Sequence, residues 1–399
     1  MLRLKALALV AALATTPAFA QQKSPDPATT GPDIVVTGMT LKDAKAALAA
    51  CIARQCPPDK DIDATLAVAE TQFVAGDYAG ARATMLKSLG RNRRYGKTYP
   101  VPVSDLLRAD ARVAAHLGET EAYRVGTISM LRTLRAGLPK GDARIFGAQI
   151  EVADSFAKTG QIEAALFGYR QVAKEAHAAA LPRTEGFARL RVALLYSALS
   201  IRRRDAYAQA AIDATDDLIR DPNPEMAPFV QAAKLLRLTT AVKAGTPGAM
   251  DRLVTEYRQA GAGATVPVLL YAPKVELRQL SGVEGAGGDP RNQVPFYDFD
   301  NQWIDVSFVI GADGKVTDAE VLRQSPKVRA DWAKPILAAV AGRRYAPLAA
   351  QTPDLLRVER YTLTSEWRTE TGSNIRVRSP IPRIEVVDLS RDSSTAPAS

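Results

Sequence analysis

Apolar positions recur at helical spacing through the first 260 residues or so, and short polar junctions interrupt them at a nearly constant interval. The junctions lie 42 or 43 residues apart and are centred on Gly76, Gly118, Gly160, Arg202 and Gly245. Glycine readily adopts the left-handed conformation that ends a helix, and a period of about 20–50 residues is typical of stacked helical units. The pattern therefore predicts five helical pairs within residues 61–261.

The pattern changes to strand-like alternation towards the C-terminus. The apolar residues Ile304, Val306, Phe308 and Ile310 alternate with polar or smaller ones, which predicts a half-buried strand. We expect a hairpin turn next (Gly311–Gly314), followed by a second strand (Val316–Leu322), a helix (Pro335–Ala341) and a third strand (Arg357–Trp367). The chain is therefore expected to be mainly α, with a small α+β domain of order β-β-α-β after the helical-hairpin array.

The whole chain divides into six predicted regions. They are a signal peptide (1–20), a leader with an N-terminal helix (21–60), the helical repeats (61–261), a linker with extended segments (262–292), the α+β domain (293–370) and a partly disordered tail (371–399). The linker contains the glycine-rich stretch Gly282–Gly288. Because such segments expose their backbone, we expect a protease-sensitive hinge between two separately folding units.

The N-terminus has the three parts of a secretory signal. Arg3 and Lys5 precede the apolar run Ala6–Ala14, and Ala18 and Ala20 supply small residues for cleavage. The alternative is an uncleaved inner-membrane anchor, but the run is shorter than the roughly 20 residues that span a bilayer. We therefore expect a mature periplasmic protein that begins at Gln21.

The only cysteines, Cys51 and Cys56, lie at the end of a predicted helix. On a continuous helix their side chains would point apart, but Pro57–Pro58 allows the helix to end between them. An oxidising compartment favours a disulfide. A metal site would need more ligands, and the two histidines, His116 and His177, lie far along the chain.

Charge and motifs argue against an enzyme. The net charge of +9 falls to about +7 without the signal peptide, which fits a solvated basic surface, and an exported protein is a poor candidate for nucleic-acid binding. A nucleophile elbow, a paired-histidine metal motif and a phosphate loop are all missing from the sequence. His116 is expected to cap a helix and His177 to lie on a solvated helix flank. No catalytic, cofactor-binding or metal-ligating residue is predicted.

Two of the hairpins resemble tetratricopeptide repeats. The matching small and aromatic residues are Ala69, Tyr78 and Ala81 around Gly76, and Ala153, Phe156, Ala165 and Tyr169 around Gly160. The period departs from the family's spacing of about 34 residues, so the helices or loops must be longer. The resemblance implies a superhelix that binds peptides or proteins, with the aromatic rings in its core.

The C-terminal region resembles the C-terminal domain of TonB-type energy transducers. The matching segments are Ile304–Ile310, Asp313–Val316, Pro335–Val340 and Arg344–Pro347. The candidate edge strand is Arg357–Trp367, and its charged residues favour a border that is protected against aggregation. The resemblance implies the alternative, strand addition of a receptor peptide at that edge. The cleavable N-terminus and the helical repeats, in place of a proline-rich spacer, depart from that family.

Together these features predict a periplasmic scaffold or adaptor of the cell envelope. Its partner is expected to be a protein or peptide, such as an outer-membrane receptor of TonB-dependent transport. A genuine transducer with a retained anchor is one alternative, and an unrecognised envelope enzyme is another. No cofactor is expected, and the sequence does not identify the partner-binding residues.

Overall fold

The structure is a computed structural model that describes residues 39–259, 267–275, 300–326, 328, 330–349, 354–369 and 375–390. Helices dominate these residues, and a small antiparallel sheet follows them, which confirms a mainly α chain with a small α+β part. None of the helices in these ranges combines the length and apolar character that a membrane span requires. The predicted signal peptide, residues 21–38 of the leader and the predicted glycine-rich hinge lie outside the described residues.

Eleven helices form the N-terminal part of the described chain. They are α1 (Leu41–Ala53), α2 (Pro58–Val74), α3 (Tyr78–Asn92), α4 (Pro100–His116), α5 (Thr120–Gly137), α6 (Ala143–Lys158), α7 (Ile162–Ala178), α8 (Pro182–Arg202), α9 (Arg204–Ile219), α10 (Ala227–Lys243) and α11 (Ala249–Gln259). From α2 onwards they follow one another as five pairs, and the predicted junctions lie between the two helices of each pair or end the first of them.

Glycine ends the first helix in four of the five pairs. Gly76, Gly118, Gly160 and Gly245 have φ angles of 84°, 74°, 79° and 75°, in the left-handed region that glycine adopts most readily. The fourth pair has Arg203 at its junction, with φ of −139°. The 42-residue period is therefore a period of helix ends.

Small and aromatic residues hold the paired helices together. Ala81 and Ala165 are fully buried and allow close approach of their neighbours, while Tyr78 and Tyr169 are 4% and 3% exposed. Packing of this kind supplies most of the stability of short helices in proteins. The residues that carry the repeat resemblance are therefore core residues.

The two cysteines lie at the connection between α1 and α2. Helix α1 ends at Ala53, and Gln55 adopts a left-handed φ of 54° before α2 begins at Pro58. The Cα atoms of Cys51 and Cys56 are 5.2 Å apart, within the range of disulfides. The expected turn between the cysteines is present, and they lie at disulfide distance.

The described residues of the C-terminal part contain six strands and one helix: β1 (Leu269–Tyr271), β2 (Gln302–Ile310), β3 (Val316–Gln324), α12 (Ala330–Ala341), β4 (Arg344–Tyr345), β5 (Leu355–Thr369) and β6 (Arg376–Asp388). Four strands form an antiparallel sheet of order β3-β2-β5-β6, and β1 pairs separately with β4. The β2–β3 turn has Gly314 at φ of 78°, as a hairpin at Gly311–Gly314 requires. Helix α12 packs on one face of the sheet.

Helix α12 begins earlier than the sequence suggested. Pro335 was expected to open it, because proline lacks the N–H that a helix interior needs. The helix instead starts at Ala330 and contains Pro335. Trp332 and Ala333 precede the proline and are buried in the sheet core, so packing outweighs the missing hydrogen bond.

The expected edge strand is not an edge. Strand β5 contains Arg357–Trp367, and it pairs with β2 on one side and with β6 on the other. Strand β6 lies in the region expected to be a partly disordered tail. A free edge at Arg357–Trp367 is therefore a wrong prediction, since a later segment of the chain already pairs with it.

The array and the sheet, which the sequence predicted as separately folding units, pack against each other. The described residues from Thr40 onwards form one compact unit. Within it, Trp303 of β2 belongs to the same apolar cluster as Tyr78 and Val113 of the helical array. The sheet is joined to the array by a buried interface.

Candidate functional site

The two faces of the C-terminal sheet differ chemically, and both are covered. Ile304, Val306 and Phe308 are fully buried in the core with α12. Asp305 and Ser307 point to the opposite face, because successive side chains of a strand alternate, yet they are only 0% and 5% exposed. The prediction of a half-buried strand is wrong for β2, since the ends of the helical hairpins cover its polar face.

Arg360 of β5 joins this polar face to the end of α2. Its guanidinium donates to the Asp305 carboxylate at 2.6 and 2.9 Å, and to the carbonyl oxygens of Phe73 and Val74 at 2.6 and 2.8 Å. The side chain is fully buried, and the guanidinium lies 3.9 Å from the ring centroid of Trp303. The last carbonyls of a helix lack intrahelical partners and carry partial negative charge, so a cation there is stabilising. Arg360 therefore fixes the sheet to the first hairpin.

The next two hairpins meet the sheet at the same point of the repeat. Arg378 of β6 donates to the carbonyl oxygen of Leu117 at 3.0 Å, directly after α4. In addition, the N–H of Trp367 donates to the carbonyl oxygen of Gly118 at 3.1 Å. Lys158, the last residue of α6, pairs with Glu385 of β6. The C-terminal ends of α2, α4 and α6, the first helices of three consecutive pairs, therefore contact one sheet.

The sheet approaches two junction glycines so closely that a side chain would not fit. A Cβ atom at Gly76 would collide with the ring of Trp303, and one at Gly118 would collide with the carbonyl oxygen of Ser365. A Cβ atom at Gly160 would meet nothing within 4 Å. At Gly76 and Gly118, glycine is needed both for the helix end and for docking of the sheet.

His116 belongs to this interface and does not act as the expected helix cap. Its Nδ1 lies 2.9 Å from the hydroxyl of Thr362, which is also 2.8 Å from the hydroxyl of Tyr78. Burial, reinforced by the charges of Lys158, Arg360 and Arg383, lowers the pKa of His116 to about 3. The imidazole is therefore neutral at neutral pH. His177, in contrast, has an exposed side chain beside Glu185, as expected.

A cleft of about 870 Å³ opens beside this interface. Helix α3 lines one wall with Ala79, Ala83 and Leu86, and the sheet lines the other with Trp303 and Trp367. The volume lies within the range of about 300–1,000 Å³ that is typical of ligand sites. Leu86 is 48% exposed, so the apolar wall is open to solvent. This cleft is the candidate functional site.

Ion pairs hold four charged side chains of the cleft. Arg82 pairs with Glu119, and Arg378 pairs with Asp300 at 2.5 Å. In contrast, Trp303 is 7% exposed, and its indole N–H has no hydrogen-bond partner among the described residues. Buried donors usually have partners, so this N–H, which packs against Gly76, is an exception within the interface.

Sequence reasoning did not identify the residues of the cleft or of the interface. Arg360 and Asp305 were assigned to strands, but charged residues on a predicted strand are normally solvated. The usable signal was their alternation: Trp303, Asp305 and Ser307 share one face with Arg360 and Thr362. Two neighbouring strands with polar residues on the same face indicate that this face contacts another part of the chain or a partner. The predicted cysteine pair is not among the residues that line the cleft.

No protein-family model matches this chain, and no curated protein matches it either. The resemblances to tetratricopeptide repeats and to transducer domains therefore depend on the quoted motifs alone.

Proposed function

We propose that this chain is a noncatalytic adaptor of the periplasm, which binds protein partners of the cell envelope. We further propose that it works with TonB-dependent transport at the outer membrane and that its two parts are diverged relatives of tetratricopeptide repeats and the transducer C-terminal domain. The observation that favours an adaptor most is the single surface formed by the array and the sheet. The cleft lies where the two parts meet, so a partner bound there contacts both.

The chemistry of the cleft favours binding over catalysis. The only imidazole beside a hydroxyl in the described residues is His116, next to Thr362. A pKa of about 3 makes this imidazole a weak base at neutral pH, because proton-accepting strength follows the pKa. The side chain of Thr362 is also nearly inaccessible, at 2% exposure. These features disfavour the envelope-enzyme alternative.

Partner capture with a matched pair of variants tests the adaptor function. Full-length chain would be expressed in its native host, crosslinked and purified from the envelope. Leu86→Glu puts a charge on the cleft wall, whereas Ile212→Glu puts the same charge on α9, at 50% exposure and away from the cleft. We expect outer-membrane proteins to be enriched with the natural chain and with Ile212→Glu, but not with Leu86→Glu. Enrichment no greater than with an unrelated exported protein would contradict the adaptor function.

The compartment has its own test. We expect the mature chain to begin at Gln21 and to contain a Cys51–Cys56 disulfide, since export provides the oxidant. Closing so short a loop should stabilise the fold by roughly 2 kcal/mol. Intact mass with and without reduction before alkylation measures both features. Two freely alkylated thiols, or a retained residue 1, would contradict periplasmic maturation and favour the anchored alternative.

A further inference from the structure

Positive charge is concentrated on two neighbouring segments of the helical array. Residues 78–104 and 122–141 contain ten Lys or Arg and no Asp or Glu. Three of the ten pair with carboxylates outside these segments, namely Arg82, Arg91 and Arg124. The other seven are exposed, and none of them forms an ion pair within the described part of the chain. The array therefore has a local excess of uncompensated cations.

Six of these seven cations lie at the end of the hairpins that is farthest from the sheet. Helix α3 starts at the sheet, where the hydroxyl of Tyr78 is 2.8 Å from that of Thr362, and its 15 residues extend about 22 Å away. Helix α5 also starts beside the sheet, directly after Gly118 and Glu119, and ends 18 residues later. The six cations, which we call the basic edge, are Arg93, Arg94, Lys97, Arg132, Arg135 and Lys140.

The two segments of the basic edge touch each other. A Cβ atom at Gly96 would lie 3.2 Å from the methyl group of Thr133. One at Gly137 would lie 3.0 Å from the carbonyl oxygen of Lys97. Each of the six cations is within three residues of one of these contacts, so they share one end of the array. The helix dipole favours cations in the last turn of a helix, but Lys97 and Lys140 lie beyond α3 and α5.

The basic edge lacks the apolar anchors of a protein-binding site. Within residues 91–104 and 129–142, no Leu, Val or Met side chain is exposed. Protein interfaces usually centre on aromatic or apolar anchors, and lysine is depleted there. An anionic membrane surface needs only charge, and each Lys or Arg close to it strengthens binding. Tyr95, half-buried under the guanidinium of Arg94 at 4.8 Å, suits the headgroup region, where tyrosine is enriched.

We propose that the basic edge binds the surface of a bilayer rich in anionic phospholipid, so that the chain lies peripherally on a membrane. Because the sheet is at the opposite end of α3, the candidate cleft stays open to a partner while the chain is bound to lipid. This inference goes beyond the adaptor function and does not depend on which protein the cleft binds.

Vesicle flotation with the purified mature chain tests this proposal. One set of vesicles would contain phosphatidylcholine alone, and the other phosphatidylcholine and phosphatidylglycerol at about 2:1. We expect binding to the anionic vesicles at about 0.05 M salt and its loss at about 0.5 M salt, where charges are screened over a shorter distance. Neutral vesicles should not bind. Equal binding to both kinds of vesicle, or binding to neither, would overturn the proposal.

A triple variant tests whether the basic edge is the surface involved. Arg93→Gln/Arg94→Gln/Lys97→Gln removes half of its charge and should weaken binding to anionic vesicles at least about tenfold. Arg93→Lys/Arg94→Lys keeps the charge and should bind like the natural chain. Loss of binding in this charge-preserving variant would mean that the arginines act through the fold, and would contradict recognition by charge.

The matched control removes the same charge at another place. Arg202→Gln/Arg203→Gln/Lys243→Gln replaces exposed cations at the junctions of the fourth and fifth pairs. Binding of this variant should stay within about twofold of the natural chain. Equal losses in the two triple variants would mean attraction by net charge alone, and would overturn the assignment to the basic edge.

An acidic protein is the other partner that this charge could attract. A fluorescent decaglutamate peptide, titrated at the same low salt and followed by anisotropy, distinguishes the two. If the peptide binds through the basic edge and anionic vesicles do not bind, the edge is a protein site and the membrane proposal is wrong. The adaptor function is judged separately by capture of envelope proteins, so the failure of one proposal is distinguishable from the failure of the other.

Discussion

Arg360 is expected to be the single most important side chain for docking of the sheet. Replacing it with methionine leaves the buried Asp305 carboxylate with Arg323 alone, at 2.7 Å. It also removes the arginine donor from the Val74 carbonyl and leaves the Phe73 carbonyl with the N–H of Gly76 alone. Removing one partner of a buried ion pair costs about 3–5 kcal/mol, because the other charge remains away from water. We therefore expect Arg360→Met to lower the free energy of unfolding by about 3–5 kcal/mol.

Arg343→Met is the matched control for that variant. Arg343 forms a largely buried pair with Glu359 at 2.8 Å, but this pair lies within the C-terminal part and does not reach the helices. Urea unfolding measures both losses, and amide hydrogen exchange locates them. Only Arg360→Met should speed exchange at the α2–α3 junction. Adding Asp305→Leu should recover part of the loss, since the buried carboxylate that has lost its buried partner is then removed as well. A loss below about 1 kcal/mol, or additive losses in the double variant, would refute this role.

Two further predictions concern the helix ends. Gly118→Ala should lower the free energy of unfolding by at least about 2 kcal/mol more than Gly160→Ala. Both substitutions incur left-handed strain of about 1–2 kcal/mol, but only the alanine at position 118 collides with the sheet. Equal losses in urea unfolding would contradict this. The pKa of His116 is lowered to about 3 in the folded state, from 6.5 when the side chain is exposed. Because the unfolded chain therefore binds the proton more tightly, the folded state loses stability as the pH falls below 6.5. At pH 5 the loss should be about 2 kcal/mol in the natural chain and in His177→Gln, and missing in His116→Gln. Unfolding free energies measured from about pH 7 to pH 5 decide this, and identical slopes for the natural chain and His116→Gln would refute it.

The helical part was predictable because its signals are local. A glycine that ends a helix needs only its own backbone conformation, so Gly76, Gly118, Gly160 and Gly245 mark helix ends wherever the helices pack. The same glycines gave no sign that a sheet lies against the first two of them. That contact depends on Trp303 and on residues more than 200 positions away.

The sheet was predicted less well because distant pairing decides it. Strand β6 contains Arg376, Arg378, Pro380, Pro382 and Arg383, a composition typical of an exposed tail. Its arginines bind helix ends, and its backbone pairs with β5, neither of which local sequence reveals. The run Ile384–Val387 was the one strand-like signal in that segment.

The cleft was beyond prediction for the same reason. Its walls come from α3, from the turn after α4 and from three strands that are distant in sequence. The hydrogen-bonding state of Trp303 depends on where all of these meet. Only the assembled structure gives that information.

The central claim is that array and sheet form one cooperative body. All three tryptophans, Trp303, Trp332 and Trp367, lie in the C-terminal part, whereas most helical residues lie in the array. Tryptophan fluorescence therefore reports the sheet, and far-ultraviolet circular dichroism reports the helices. Urea unfolding of the full chain should give coincident transitions by the two probes. Midpoints that differ by more than about 0.5 M urea would mean that the two parts unfold separately, and would contradict the account.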